Sequence, residues 1–172
     1  VPSQEITALL IAVGVLVIMG IIDDLHELSA PVQLTVQLLV AVFLAASVID
    51  LSHFSNPLGG TIDLNQIQFD GSIAGLTLRF LVPGDIFLVA WILLCTISVK
   101  ISSGTDGLME GNSIIASFLF FLLSIRFFYD QTAIISIILA GLTLGFLFYN
   151  FYPAKIWSGS SGKSTYGFIL AV

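Results

Sequence analysis

The sequence predicts an all-α polytopic membrane protein with about five complete transmembrane helices, the start of a sixth, and a small β-hairpin on the extracytoplasmic side. Three observations carry this. The chain is 57% hydrophobic and only 9% charged, with a mean hydropathy of +1.07. Soluble domains carry roughly 25% charged residues, so the deficit excludes a water-facing surface. The polar residues also collect in three short islands: Asp23-Asp24-Leu25-His26-Glu27, the stretch Lys100 to Gly107, and Pro153-Ala154-Lys155 through Gly162-Lys163-Ser164. Two apolar stretches separate each neighbouring pair, and a chain that crosses twice returns to the side it left. All three islands are expected on one membrane face.

Taken in order, the spans are Ile6–Ile22, Leu34–Ile49, Ile86–Ile101, Ser113–Tyr129 and Thr132–Tyr149, with a sixth beginning near Thr165. Each is at or below the ~20 residues of a spanning helix, but their regular recurrence supports the assignment. The runs lack period-2 alternation and exceed strand length, so their Ile and Val content does not make them strands. Arg126 lies close enough to the end of the fourth span to snorkel. Phe127, Phe128 and Tyr129 mark that boundary, and Tyr149, Tyr152 and Trp157 mark the island side. Gly141-x-x-x-Gly145 would permit close helix contact, and a chance occurrence explains it equally well.

The one long non-helical stretch is Ser52–Gly84, opposite the islands. Asn56-Pro57-Leu58-Gly59-Gly60 is a turn signal. Beyond it, Ile62, Leu64, Ile67, Phe69, Ile73, Leu76 and Leu78 alternate loosely with polar residues, which predicts a hairpin covering helix ends. The whole of 1–172 reads as a single transmembrane domain, with 52–84 as a loop within it. The chain lacks a start methionine and ends on Phe168-Ile169-Leu170-Ala171-Val172, inside another apolar segment. It is expected to be incomplete at both ends.

Charge narrows the function classes. A net charge of −6 offers no basic patch for nucleic acid. The acids divide between the islands (Asp23, Asp24, Glu27, Asp106, Glu110) and the opposite side (Glu5, Asp50, Asp63, Asp70, Asp85, Asp130). Lys100, Lys155 and Lys163 against Arg79 and Arg126 put the islands in the cytoplasm, with the protein multi-pass in the plasma membrane. Cys95, the single cysteine, lies in an apolar run and reads as packing.

Each island has a bland and a chemical reading. Asp23 and Asp24 end the first span, where the helix dipole is unfavourable to anions. If the helix continues a turn, Asp23 and Asp24 share a face with Glu27, an arrangement suited to proton transfer or magnesium. His26 is suited to acid–base chemistry. The alternative is a solvated helix end. Gly104-Thr105-Asp106-Gly107 sets a carboxylate in a glycine-rich turn before the fourth span, suited to phosphate; the alternative is an N-cap by Asp106, Asn112 or Ser113. The run from Ser158 to Ser164 resembles a P-loop but has Trp157 where its first glycine belongs. What remains is a small-residue loop, with Gly159 and Gly162, and two lysines, Lys155 and Lys163, able to cradle a diphosphate.

Taken together, these islands resemble those of the polyprenyl-phosphate N-acetylhexosamine-1-phosphate transferase family, which includes the phospho-N-acetylmuramoyl-pentapeptide transferases. The matching stretches are Gly20-Ile21-Ile22-Asp23-Asp24-Leu25 with Gln37 downstream, Thr105-Asp106-Gly107-Leu108, and Asn150-Phe151-Tyr152-Pro153-Ala154-Lys155-Ile156-Trp157-Ser158-Gly159. Asn56-Pro57-Leu58-Gly59-Gly60 matches on the far side. The resemblance implies a magnesium-dependent membrane enzyme. A polyprenyl phosphate attacks a UDP-N-acetyl-sugar, and UMP leaves, in cell-wall or glycan precursor synthesis. It implies that Asp23, Asp24 and Asp106 are catalytic, the aspartate pair near the lipid phosphate and Asp106 in the nucleotide site. Gly107, Glu110, Lys100 and Gln37 join the lysines and glycines of the third island as substrate-binding residues. A homodimer would suit the apolar lateral surface.

Departures from the family pattern cluster at the metal. The third loop usually carries a magnesium-binding aspartate where this chain has Ser160, and the second usually carries an asparagine, three residues before Asp106, where this chain has Ser103. An earlier asparagine is Lys100, the second aspartate of Asp-Gly-x-Asp-Gly is Met109 with Glu110 beside it, and a usual lysine is Gln33. Serine hydroxyls are poor substitutes for a carboxylate around a hard cation. Two readings follow: an active transferase, or a silent relative that binds lipid phosphate or nucleotide without turnover. A transporter would need ionisable residues within its spans, and only Arg126, near a helix end, qualifies.

Overall fold

The structure, a computed structural model, describes residues 4–47, 53–55, 61–63, 65–73 and 76–172. Its helices are α1 (Gln4–His26), α2 (Ala30–Ser47), α3 (Gly84–Ser102), α4 (Leu108–Phe127), α5 (Asp130–Asn150) and α6 (Gly159–Ala171). The strands are β1 (His53–Ser55), β2 (Thr61–Asp63), β3 (Asn65–Ile73) and β4 (Leu76–Pro83). Among the described residues, five helices are long and apolar enough to cross a membrane: Ile6–His26, Ala30–Ser47, Gly84–Ser102, Leu108–Phe127 and Asp130–Asn150. These are the five predicted spans, with ends shifted by up to a turn or more. The chain forms two compact units, Val1–Leu94 and Cys95–Val172, with the division inside α3.

In the first unit, α1 buries Ala8, Ala12, Leu16 and Met19, spaced to fall on one helical stripe. It packs beside α2, which buries Gln37, Val40, Ala41, Leu44 and Ala45. Small residues on both stripes let the two backbones approach, as membrane helix pairs require. The opposite face of α1 exposes Leu10, Ile18 and Ile21, the pattern of a helix solvated by lipid. The turn between α1 and α2 is short. Pro31 sits in the first turn of α2, where its missing N–H costs nothing.

The predicted hairpin is two antiparallel pairs. β1 pairs with β2 (His53 opposite Asp63), and β3 pairs with β4 (Ile73 opposite Leu76 at the turn, Asn65 opposite Pro83 at the far end). Of the residues whose alternation predicted it, Ile62, Ile67, Phe69, Ile73, Leu76 and Leu78 lie in strands. Leu64 and the predicted turn Asn56-Pro57-Leu58-Gly59-Gly60 lie outside the described residues. β4 runs beside α2 and passes directly into α3 at Gly84.

In the second unit, α4 and α5 form the principal helix pair. Their facing stripes are small and weakly polar: Ser113, Ser117 and Ser124 on α4, Ala133, Ser136, Ala140 and Thr143 on α5. Gly141 and Gly145 are not on that stripe. Both are exposed, and a Cβ added to either meets nothing within 4 Å. Of the two readings of that spacing, chance occurrence fits: the stripe facing α4 is made by their neighbours. Phe128 closes α4 in a left-handed conformation (φ 62°) while the Tyr129 N–H reaches back to the Ser124 carbonyl at 2.9 Å, a Schellman-type stop. The core joins Met109, Leu139 and Tyr166, with Val99, Ile169 and Leu170 packed against it. Gly167 lets α6 lie directly on α3: a Cβ there would sit 2.7 Å from Thr96 Cα.

The sixth helix begins earlier than its predicted start near Thr165. The segment read as a small-residue loop is helical from Gly159. Gly and Ser are weak helix formers. Here Tyr166 and Phe168, 8% and 1% exposed, anchor the following turns in the core, so packing overrides propensity.

Candidate active site

The first polar island is a tightly bonded helix stop. α1 ends at His26, and Glu27 adopts a left-handed conformation (φ 48°) with its N–H on the Asp23 carbonyl at 2.8 Å. Asp23 is 7% exposed, and its Oδ1 accepts the Leu28 N–H at 2.8 Å and the Gln33 Nε2–H at 2.6 Å. The same Gln33 amide also donates to the Leu28 carbonyl at 2.8 Å. An anion at a helix C-terminus opposes the dipole, and these two donors offset that cost. The helix does not continue through Glu27, so the foreseen carboxylate face does not form. Asp23 is buried in the turn while Asp24, His26 and Glu27 are exposed, and Gln37 is buried on α2.

The second and third islands meet. Asp106 Oδ2 accepts the Ala154 N–H at 3.1 Å, across 48 residues of sequence. Asn150, at the end of α5, is 6% exposed and bonded on both sides. Its Oδ1 accepts the Gly107 N–H at 2.7 Å and its Nδ2 donates to the Ile156 carbonyl at 2.8 Å. One amide therefore ties the glycine turn before α4 to the segment leading into α6. Gly107 has φ 72°, a left-handed conformation that disfavours any side chain. It precedes α4 without any side-chain cap, so the Asp106 carboxylate serves a distant segment and not the helix N-terminus.

These bonds shape a cavity lined by Ser103, Thr105, Asp106 and Glu110 on one side and Asn150, Trp157, Ser158 and Lys163 on the other. It encloses about 230 Å³ of empty space, mouth included. Glu110 is 2% exposed in the first turn of α4, and its neighbour Met109 is 1% exposed in the core. Ser103 turns its hydroxyl onto the Lys100 carbonyl at 2.7 Å.

Of the residues singled out from sequence, the cavity collects Ser103, Asp106, Glu110 and Lys163. Lys100, Lys155 and Ser160 are not among its lining residues; Lys155 is exposed, with its backbone N–H on the Tyr149 carbonyl at 2.8 Å. Gly159 (φ 60°) and Gly162 shape the start of α6, where a Cβ on Gly162 would come within 2.9 Å of Ser158 Cβ. Thr105, Asn150 and Ser158 are lining residues that the sequence motifs include without a role of their own, and Trp157 was read only as an interfacial aromatic. The available signal for Asn150 was an amide ending a long apolar helix beside two polar turns.

Known proteins resemble this chain over nearly its whole length. The family model for glycosyl transferase family 4 matches residues 6–172. A Bacillus subtilis (strain 168) protein named probable undecaprenyl-phosphate N-acetylglucosaminyl 1-phosphate transferase is 29% identical over 172 residues, covering 99% of this chain and 43% of the relative. A Mycobacterium leprae decaprenyl-phosphate N-acetylglucosaminephosphotransferase is 32% identical over 98% of this chain and 41% of its own length. A Staphylococcus carnosus phospho-N-acetylmuramoyl-pentapeptide-transferase is 28% identical over 90% of this chain and 48% of its own length. The chain spans less than half the length of each. It belongs to glycosyl transferase family 4.

Proposed function

We propose that the chain is part of a membrane transferase that moves an N-acetylhexosamine 1-phosphate from a UDP-sugar onto a polyprenyl phosphate, with its polar segments facing the cytoplasm. Its relatives' names and its family support the reaction class. The observation that carries the reading is the cavity itself, which sets Asp106, Glu110 and Lys163 together beside the N-terminus of α6.

In the proposed step, an oxygen of the lipid phosphate attacks the phosphorus next to the sugar. The bond from that phosphorus to the bridging oxygen breaks, and UMP leaves with the electron pair. Such a transfer needs positioning and charge neutralisation more than covalent help from the protein. Lys163 supplies a fixed positive charge for a phosphate oxygen, and the amino end of α6 adds its dipole. Asn150 holds the two walls in register through Gly107 and Ile156.

The resemblance implies magnesium, and the donors around the cavity decide whether it fits. No group of three or more His, Cys, Asp or Glu able to hold a metal occurs among the described residues. Two carboxylates do reach the cavity, and magnesium commonly takes one or two carboxylates with substrate phosphates and water completing its shell. The donor set therefore fits a cation that arrives with its nucleotide. Asp106 and Glu110 would hold it, and it would supply charge neutralisation at the leaving phosphate.

The test is release of UMP by the full protein in detergent, given polyprenyl phosphate, magnesium and a panel of UDP-N-acetyl-sugars. Stoichiometric UMP and lipid-linked sugar, lost in Asp106→Asn, is the expected result. Nucleotide binding without UMP release from any donor would establish the silent relative instead.

A further inference from the structure

Resting on that reading, we infer that Asp23 and Gln33 are positioning residues: together they lock the turn after α1 so that Asp24, and not Asp23, is the carboxylate of the pair presented to substrate. The two aspartates do not act as one, because neighbouring side chains on a helix point about 100° apart. Asp23 is 7% exposed, whereas Asp24 is exposed. Asp23 Oδ1 already takes two donors, the Leu28 N–H at 2.8 Å and Gln33 Nε2 at 2.6 Å. The turn they close is the one in which Glu27 stands at φ 48° with its N–H on the Asp23 carbonyl.

Position 33 accounts for the lock. Its amide nitrogen has two hydrogens, and both are used: one on Asp23 Oδ1, the other on the Leu28 carbonyl at 2.8 Å. Both partners are acceptors, so only a donor fits between them. The planar amide serves both at once and brings no charge, where the resemblance would place a lysine. Asp23, for its part, is needed there as an acceptor. Its negative charge is unfavourable at the C-terminus of α1, so a neutral acceptor of the same shape would keep the lock and relieve the dipole. A carboxylate used for chemistry has the opposite requirement, since its charge is what it supplies.

The test compares Asp23→Asn, Asp23→Ala, Gln33→Glu and Asp24→Asn in the full protein in detergent, given polyprenyl phosphate, magnesium and the UDP-N-acetyl-sugar that wild type turns over. Asp23→Ala and Gln33→Glu break the lock, and each should cut kcat by roughly 100-fold, the scale of a misplaced reacting group. KM for the UDP-sugar should stay unchanged, because neither residue lines its cavity. Asp23→Asn keeps the acceptor and should hold kcat within about threefold of wild type, a rescue that Asp24→Asn should not show. A loss in Asp23→Asn as deep as in Asp24→Asn overturns the inference, because it makes the charge of Asp23 essential. Wild-type kcat in folded Asp23→Ala or Gln33→Glu overturns it too. Should Asp23→Ala fail to fold, Gln33→Ala, which removes only the donor, takes its place. A second readout needs no turnover: maleimide labelling of Asp24→Cys in a Cys95→Ser background. Its rate should change at least roughly fivefold on adding Asp23→Ala and less than about twofold on adding Asp23→Asn. Absence of UMP release by wild type from any donor sinks the proposed function, and the labelling pattern alone then decides the positioning.

Discussion

Replacing Asn150 by alanine should separate the two walls of the cavity, and the structure sets the size of the effect. The side chain is 6% exposed and makes two hydrogen bonds, to Gly107 N–H at 2.7 Å and to the Ile156 carbonyl at 2.8 Å. Each bond contributes about 0.5–1.5 kcal/mol net, more where the abandoned partner stays buried. Truncation should therefore destabilise the second unit by about 2–3 kcal/mol. Asn150→Asp sharpens the test, because a carboxylate still accepts from Gly107 but cannot donate to Ile156, and it faces that carbonyl as a like dipole. Thermal unfolding in detergent, read by tryptophan fluorescence, measures both variants beside wild type. UMP binding reports the cavity separately, and should weaken in both. A loss below about 0.5 kcal/mol for Asn150→Ala, with UMP affinity unchanged, would refute the claim that this amide joins the walls.

Other substitutions follow from backbone geometry and contact. Gly107→Ala should cost about 1–2 kcal/mol, because φ 72° disfavours a side chain and the new Cβ would lie 3.2 Å from Leu147 Cδ1; urea unfolding checks it. Gly167→Ala should do more damage, since its Cβ would meet Thr96 backbone at 2.7 Å and 3.1 Å, and the readout is loss of the monodisperse peak in detergent. Glu27→Gly should stabilise the α1–α2 turn by about 1 kcal/mol, because glycine takes the left-handed stop at φ 48° without penalty; an unfolding temperature below wild type would contradict this.

The spans were legible because runs of apolar residues long enough to cross a bilayer have few other fates. Alternation likewise revealed β3 and β4. The start of α6 was hidden, since Gly159, Ser160, Ser161 and Gly162 lack intrinsic helix preference and become helical through Tyr166 and Phe168. For Gly141 and Gly145 the alternatives stayed open in the sequence because a spacing motif does not say which stripe faces a neighbour, and neither glycine meets α4. Ser136, Ala140 and Thr143 hold that stripe. Asp106 was identified from its turn, but its bond to Ala154 N–H depends on tertiary closure. For Asp23 the sequence exposed the electrostatic problem and not its solution, which lies with Leu28 N–H and the Gln33 amide.

Photoaffinity labelling of the full protein with 5-azido-UDP-GlcNAc, followed by peptide mapping, addresses the cavity itself. Label should fall within 103–110 and 157–163, compete with UMP, and fall sharply in Lys163→Ala. Specific, UMP-competed label confined to peptides outside both segments, undiminished in Lys163→Ala, would contradict the assignment of this cavity to the nucleotide.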